Sequence, residues 1–434
     1  MFAKTKNETN IKLPFLFILF SLLCLIGAMA LILFKGDSII SSQFRVPAIW
    51  SAAHLFILGW ALMTAMGAIY QLVPVVFLTP IWNERFGFIQ FTVTAFGILY
   101  FAHSLFHNPE SALLPGLITL TGILMFLLQM FMTLRQQAKP NVLTLFVGTA
   151  LISLLTAILL GILMVFSMKT GFISDYYQAV FKSHILFGTA GWFTLLIFGF
   201  SYKMVPMFSL SHGYSMKPAK YVFTVYASGL AAAVLSFFTE KNSLFTIALM
   251  ILAGGFAFFT WHMLQILQRR VKKKLDYSFR FALLAIPAGL AIHLGAFICS
   301  LTGSFESAIG YLAFAYLQLW VALSIMGYLF KIVPFLWWTW RYSKEIGKHS
   351  VPSLKDMMND KASIPVLSSL ILGILSVTVS IAYEHLALFL SGQILTLGAS
   401  IVFCYLIISV LKNRRNEHES RRISSQQSKK SYGS

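Results

Sequence analysis

WALMTAMGAIYQLVP at residues 60–74, WFTLLIFGFSYKMVP at 192–206 and WVALSIMGYLFKIVP at 320–334 are three copies of one phrase, W-x6-G-x2-[YF]-[QK]-x-V-P. No copy carries a gap, and the copies begin 132 and 128 residues apart. A period of that length holds four apolar stretches each time, so the chain reads as a triplicated four-helix unit. Composition says in which solvent those helices stand. Of the 434 residues, 58% are hydrophobic and 11% charged, and the mean hydropathy is +0.78. Such a chain is an integral membrane protein.

A helix needs about 20 apolar residues to cross roughly 30 Å of hydrocarbon. Twelve runs meet that length, beginning near Leu13, Ile49, Phe86, Ala112, Asn141, Ala179, Ala219, Ser243, Phe279, Ser307, Ile364 and Ala387. None alternates as a barrel strand does, so the fold class is all-α, a polytopic bundle of twelve transmembrane helices in three pseudo-repeats. The repeats span about 13–134, 141–268 and 279–412 within a membrane domain of 1–412. Residues 413–434 form a polar, Ser-rich, basic tail expected to be disordered. The basic start with Lys4, Lys6 and Lys12 resembles a signal peptide, but the apolar run continues to Phe34, past the small residues Ala28 and Ala30. That length predicts an uncleaved anchor.

Lys and Arg concentrate in RQQAK, QRRVKKK, WRYSKEIGKH and the tail, all on one side of the bundle. The positive-inside rule makes that side cytoplasmic, with both termini there and the chain a multi-pass protein of the cell membrane. Those loops also account for the net charge of +19, so nucleic acid is not needed as a partner and the lipid bilayer is the expected one. Cys24, Cys299 and Cys404 lie in or beside apolar runs with no C-x-x-C spacing, which argues for neither disulfides nor a thiolate metal site.

Orientation turns sequence position into depth. His54 precedes Pro74 by 20 residues, about 30 Å of helix, and so lies at the outer end of the second helix. His184 on the sixth helix, His103 and His107 at the end of the third, and His293 late in the ninth fall at the same level. Five of ten histidines thus share one layer. Neutral imidazole is a common ligand of haem iron and copper, and an ionisable group inside a span is a functional candidate by default. A lone histidine in a span equally serves to bond a neighbouring helix or to sit at the interface. His103 and His107, spaced i, i+4 beside the loop HNPES, suit a metal or an interfacial position. His385 in an outer loop stays open, whereas His212, His262, His349 and His418 do not read as ligands.

Three four-helix repeats, a histidine at the outer end of helix 2 and another on helix 6 resemble the catalytic subunit of the haem-copper oxidases, and more closely its shorter relatives, the NnrS-type membrane proteins. The resemblance covers residues 13 to about 412. In the oxidases the helix 2 histidine is an axial ligand of the low-spin haem, the place His54 takes in AHLFILGW, and the helix 6 histidine binds copper, the place His184 takes in KSHILFG. The resemblance ends there. Helix 7 of the oxidases supplies a histidine pair for copper and helix 10 an H-x-H that ligates both haems; YVFTVYASGLAAAVLSFF and YLAFAYLQLWVALSIMGYLF contain no histidine. Gly188 stands where the oxidases carry a tyrosine four residues after the helix 6 histidine.

Without those ligands, oxygen reduction has no binuclear centre. The resemblance therefore implies a haem on His54, with His293 as second ligand, or copper on His184 with His103 or His107. The role it implies is in nitric oxide response, metal or haem handling, or electron transfer, with a redox or metal-delivery partner. A cofactor-free permease on the same scaffold is the alternative. Aligned on the phrase, His54 matches Leu186 and Phe314, so His184 is displaced by two positions, about 200° of helix rotation. The two rings are therefore expected to be able to open into different inter-repeat cavities. At the opposite end, Gln71, Lys203 and Lys331 read as boundary residues whose lysines snorkel to headgroups. The prolines read as helix ends or kinks, the tryptophans as packing and interface residues, and Gly67, Gly199 and Gly327 as close helix contacts.

Overall fold

A computed structural model describes residues 9–411 apart from 42, 138, 349 and 350; the tail, His349 and His418 lie outside the described residues. Among the described residues, twelve helices long and apolar enough to cross a membrane follow one another. They are α1 (Lys12–Phe34), α2 (Pro47–Pro74), α3 (Glu84–His107), α4 (Leu113–Leu134), α5 (Val142–Thr170), α6 (Ser174–Ser209), α7 (Lys217–Thr239), α8 (Asn242–Gln268), α9 (Tyr277–Leu301), α10 (Phe305–Tyr342), α11 (Asp360–Ala382) and α12 (Leu386–Leu411). The protein is an all-α membrane bundle, and α1 packs within it along α2 and α12. α2, α6 and α10 are the most buried spans. They line a cavity of about 60 Å³, to which the equivalent residues Ala65, Ile197 and Ile325, and one turn on Ala68, Phe200 and Tyr328, contribute. The phrase is thus the seam along which three helices meet.

Each phrase glycine is required by a neighbouring helix. A Cβ at Gly67 would stand 2.9 Å from Pro14 O and Phe17 Cβ of α1, at Gly199 2.9 Å from Phe146 Cβ of α5, and at Gly327 2.7 Å from Ala282 N and Cβ of α9. Lipid gives helices no hydrophobic reason to associate, so such close backbone approach supplies the packing attraction. Pro206 and Pro334 lie inside α6 and α10, and past Pro74, where the apolar span α2 closes, the helical backbone still continues to Phe77, as it does to Ser209 and Tyr342 in the other two. A proline cannot donate to the carbonyl four residues earlier. In α2 that carbonyl, Tyr70 O, accepts from Thr9 Oγ1 at 3.1 Å instead.

The tryptophans are not at a headgroup boundary. Trp60, Trp192 and Trp320 are fully buried, and each lies within a π-helical segment: Leu55–Leu62, Phe187–Thr194 and Tyr316–Ala322. Trp320 Nε1 donates to Thr194 Oγ1 at 2.8 Å, while the indole N–H of Trp60 and of Trp192 has no partner among the described residues. π-Helical turns are uncommon and gather at functional sites.

Lys331 departs from the snorkelling expectation. Its ammonium pairs with Asp276 at 2.5 Å and lies 3.8 Å from Asp360, and Lys272 meets Asp276 at 2.9 Å. Asp360 in turn accepts from the amides of Tyr277 and Ser278, tying the start of α11 to the start of α9. Partial burial pushes the Asp276 carboxyl up, but the hydrogen bonds from Lys331 and Lys272 outweigh it and leave the group below its ordinary value. A carboxyl depressed on folding stabilises the native state above its unfolded pKa, about 3.9, and that contribution is lost as pH falls through the folded value. Below about pH 4, wild-type protein should therefore lose thermal stability faster than Asp276→Asn. Parallel melting curves through that range would refute the assignment.

Candidate functional site

α2 and α6 bring two imidazoles together. The rings of His54 and His184 lie 6.3 Å apart, centroid to centroid, with planes 27° from parallel. His54 Nδ1 is 2.8 Å from Trp50 O, one turn back on its own helix. His184 Nδ1 is 2.7 Å from Ala157 O of α5. A carbonyl only accepts, so both Nδ1 atoms carry the proton and both Nε2 atoms present a lone pair. Among the described residues, neither Nε2 has a hydrogen-bond partner. Metal-bound histidines are usually fixed in this way, one nitrogen held by an outer acceptor and the other left to the metal.

The convergence corrects the expectation of separate cavities. α2 and α6 are arranged around the seam with their phrases in equivalent positions, so equivalent residues look the same way around it. A contact between such units is heterologous and joins unlike surfaces. Equivalent side chains meet close to the seam, as Ala65, Ile197 and Ile325 do, whereas His54 and His184 meet from positions displaced by two residues.

The other members of the layer stand elsewhere. His293 Nδ1 donates to Gly289 O at 2.7 Å, and its Nε2 lies 3.1 Å from the Tyr226 hydroxyl, so both nitrogens are engaged. Its ring neighbours are Tyr226, Phe256 and Tyr316, whereas those of His54 are Phe101 and His184. The Tyr316 hydroxyl meets Thr194 Oγ1, which also takes the Trp320 indole proton. A closed polar network of α6, α7, α9 and α10 thus surrounds His293. His103 and His107 are exposed, with ring centroids 4.5 Å apart. Among the described residues, no group of three or more His, Cys, Asp or Glu side chains is placed to hold an ion, so His184 forms no such cluster with His103 or His107. His385 caps the start of α12, His262 bonds Tyr202 and Ser215 O, and the three cysteines are free.

The bundle superposes on a solved haem-copper terminal oxidase, determined as a dimer, with a TM-score of 0.68 over 93% of this chain and 84% of the oxidase chain, at 9% identity. This chain has the haem-copper oxidase fold. At that identity the likeness concerns the scaffold, and no family profile or curated protein matches the sequence. α7 and α10 contain no histidine. Here they contribute Tyr226, Tyr316 and Trp320 to the network around His293. What sequence reasoning missed is the pairing of His54 with His184. Its only signal was the displacement by two residues.

Proposed function

We propose that the protein is a membrane-embedded haem- or copper-binding relative of the oxidases, of NnrS type, with its centre on His54 and His184 at the outer face and no capacity to reduce oxygen. The carrying observation is the pair of imidazoles whose Nδ1 protons are fixed on Trp50 and Ala157 carbonyls and whose Nε2 lone pairs are unspent. The donor set suits both groups, since neutral imidazole ligates iron and copper alike. When bound, either supplies a redox-active, Lewis-acidic metal. The chain's own contribution is to hold two neutral ligands in one tautomer and to bridge two four-helix units through them. Oxygen reduction needs a second haem ligand and a three-histidine copper site, and α7 and α10 have no histidine to give.

This arrangement serves nitric oxide response, metal or haem handling, or electron transfer. The lack of a three-ligand group among the described residues favours a second reading, a cofactor-free carrier. Oxidised and reduced optical spectra, with iron and copper analysis of protein expressed with both available, separate the two. A Soret band or about one metal per chain supports the first reading; the absence of both leaves the carrier.

A further inference from the structure

We infer that the seam cavity between α2, α6 and α10 is a binding site for a small uncharged apolar molecule, of the size of a diatomic gas. The site is separate from His54 and His184. Thr64, the first residue of α2 to line the cavity, follows His54 by ten residues, about 15 Å of helix.

The cavity has its origin in the repeat. Ala65 stands where the other two copies of the phrase carry Ile197 and Ile325, and Ala68 where they carry Phe200 and Tyr328. All six line the space, which measures about 60 Å³. Packed interiors hold few voids larger than a water molecule, and empty volume costs stability. Two of the three copies fill these places with large side chains. The alanines of the first copy therefore keep open a space that the scaffold itself does not require.

The wall decides what enters. Only Thr64 and Tyr328 bring a hydroxyl to it, and both hydroxyls are engaged. Ser21 Oγ gives its proton to Ile18 O at 2.7 Å, so Thr64 Oγ1 donates to Ser21 Oγ at 2.7 Å. The Tyr328 hydroxyl pairs with Ser201 Oγ at 2.9 Å. A buried water needs about two to four polar partners, and an ion needs more, so neither is held by this wall. Size excludes the larger apolar candidates. An apolar cavity of about 150 Å³ stays dry and admits benzene or xenon; less than half that volume leaves no place for a ring, a macrocycle or an acyl chain. A xenon atom or a diatomic molecule fits. The bilayer supplies such solutes, since they leave water for hydrocarbon, and an occupant regains the dispersion contacts that the alanines forgo.

The test uses xenon as the probe. Crystals of the full-length protein grown in a lipid mesophase are exposed to a series of xenon pressures, and anomalous difference maps locate the gas. The expected result is one xenon among Ala65, Ala68, Phe200 and Tyr328, filled at lower pressure than any lipid-facing position. Ala68→Val, and separately Ala65→Ile, which installs the residue of the other two copies, should lose it. Xenon missing from the seam overturns the inference, as does ordered water or a lipid tail in the cavity, filling only after the lipid-facing positions, or undiminished xenon in both variants. Should a variant fail to fold, the wild-type pressure series still decides. Copper, iron and haem play no part in the measurement, so its outcome is separable from the fate of the His54–His184 reading.

Discussion

His54→Ala and His184→Ala should each empty the centre, with the metal or haem content of purified protein falling from about one per chain to near zero. The size of the effect follows from ligand number. Loss of an outer hydrogen-bond partner alone weakens a metal site roughly 10- to 100-fold, and here half of the chain's own ligand set is removed. The two variants should be equivalent, because neither imidazole has a substitute in the chain: among the described residues no third His, Cys, Asp or Glu completes a cluster. His293→Ala and Tyr226→Phe are the matched controls. They break the 3.1 Å contact between Tyr226 and His293 and leave a buried polar group unsatisfied, at a cost of about 1–3 kcal/mol in stability. They should keep the cofactor. A His293→Ala protein that folds but lacks it would move the centre to the α7–α9–α10 network.

Gly327→Leu should abolish folded protein, the largest structural effect expected of any phrase residue. A Cβ there meets Ala282 N, Cα and Cβ at 2.7–2.8 Å, and a helix backbone cannot yield as the end of a side chain can. Overpacking by a few atoms costs typically 1–3 kcal/mol, and a leucine would drive α10 off α9 altogether. With α10 displaced, the seam shared with α2 and α6 loses one of its three walls. Gly148 and Gly398 provide the contrast, since a Cβ at either has nothing within 4 Å. Alanine there should be neutral or slightly stabilising, as the helix propensity of alanine exceeds that of glycine. Membrane-extracted yield and monodispersity by size-exclusion chromatography measure both outcomes. A monodisperse Gly327→Leu protein would mean that the α9–α10 approach is dispensable.

Much of the scaffold was legible in the sequence because apolar length and spacing encode it directly. The twelve runs begin within a few residues of the observed helices; Leu13 compares with Lys12, Phe86 with Glu84, and Ala387 with Leu386. The phrase glycines were correctly read as close contacts, since a small residue at a fixed place in three copies has few other uses. Other features depend on partners distant in the chain. Lys331 looked like a snorkelling lysine because Asp276 and Asp360 lie 55 residues before it and 29 after it, each at the start of another helix. The tryptophans, read as packing and interface residues, are buried packing residues. The π-helical segments that hold them have no compositional signature.

The candidate site shows the same division. The layer of histidines is an expectation from depth, and depth follows from helix rise. Which of them meet does not follow from it, because that is set by how neighbouring units rotate about their common seam. His54 and His293, paired by analogy with an axial haem site, have separate surroundings. His54 and His184, apparently turned away from one another, are the pair the fold brings together.

A cryo-electron microscopy map of the protein in a lipid nanodisc, prepared with copper(I) and haem available, tests the central claim most directly. The account predicts a strong density feature between the Nε2 atoms of His54 and His184, absent from the map of His54→Ala/His184→Ala. It is contradicted by a cofactor bound elsewhere in the bundle, or by rings that hydrogen-bond protein through Nε2 with no density between them.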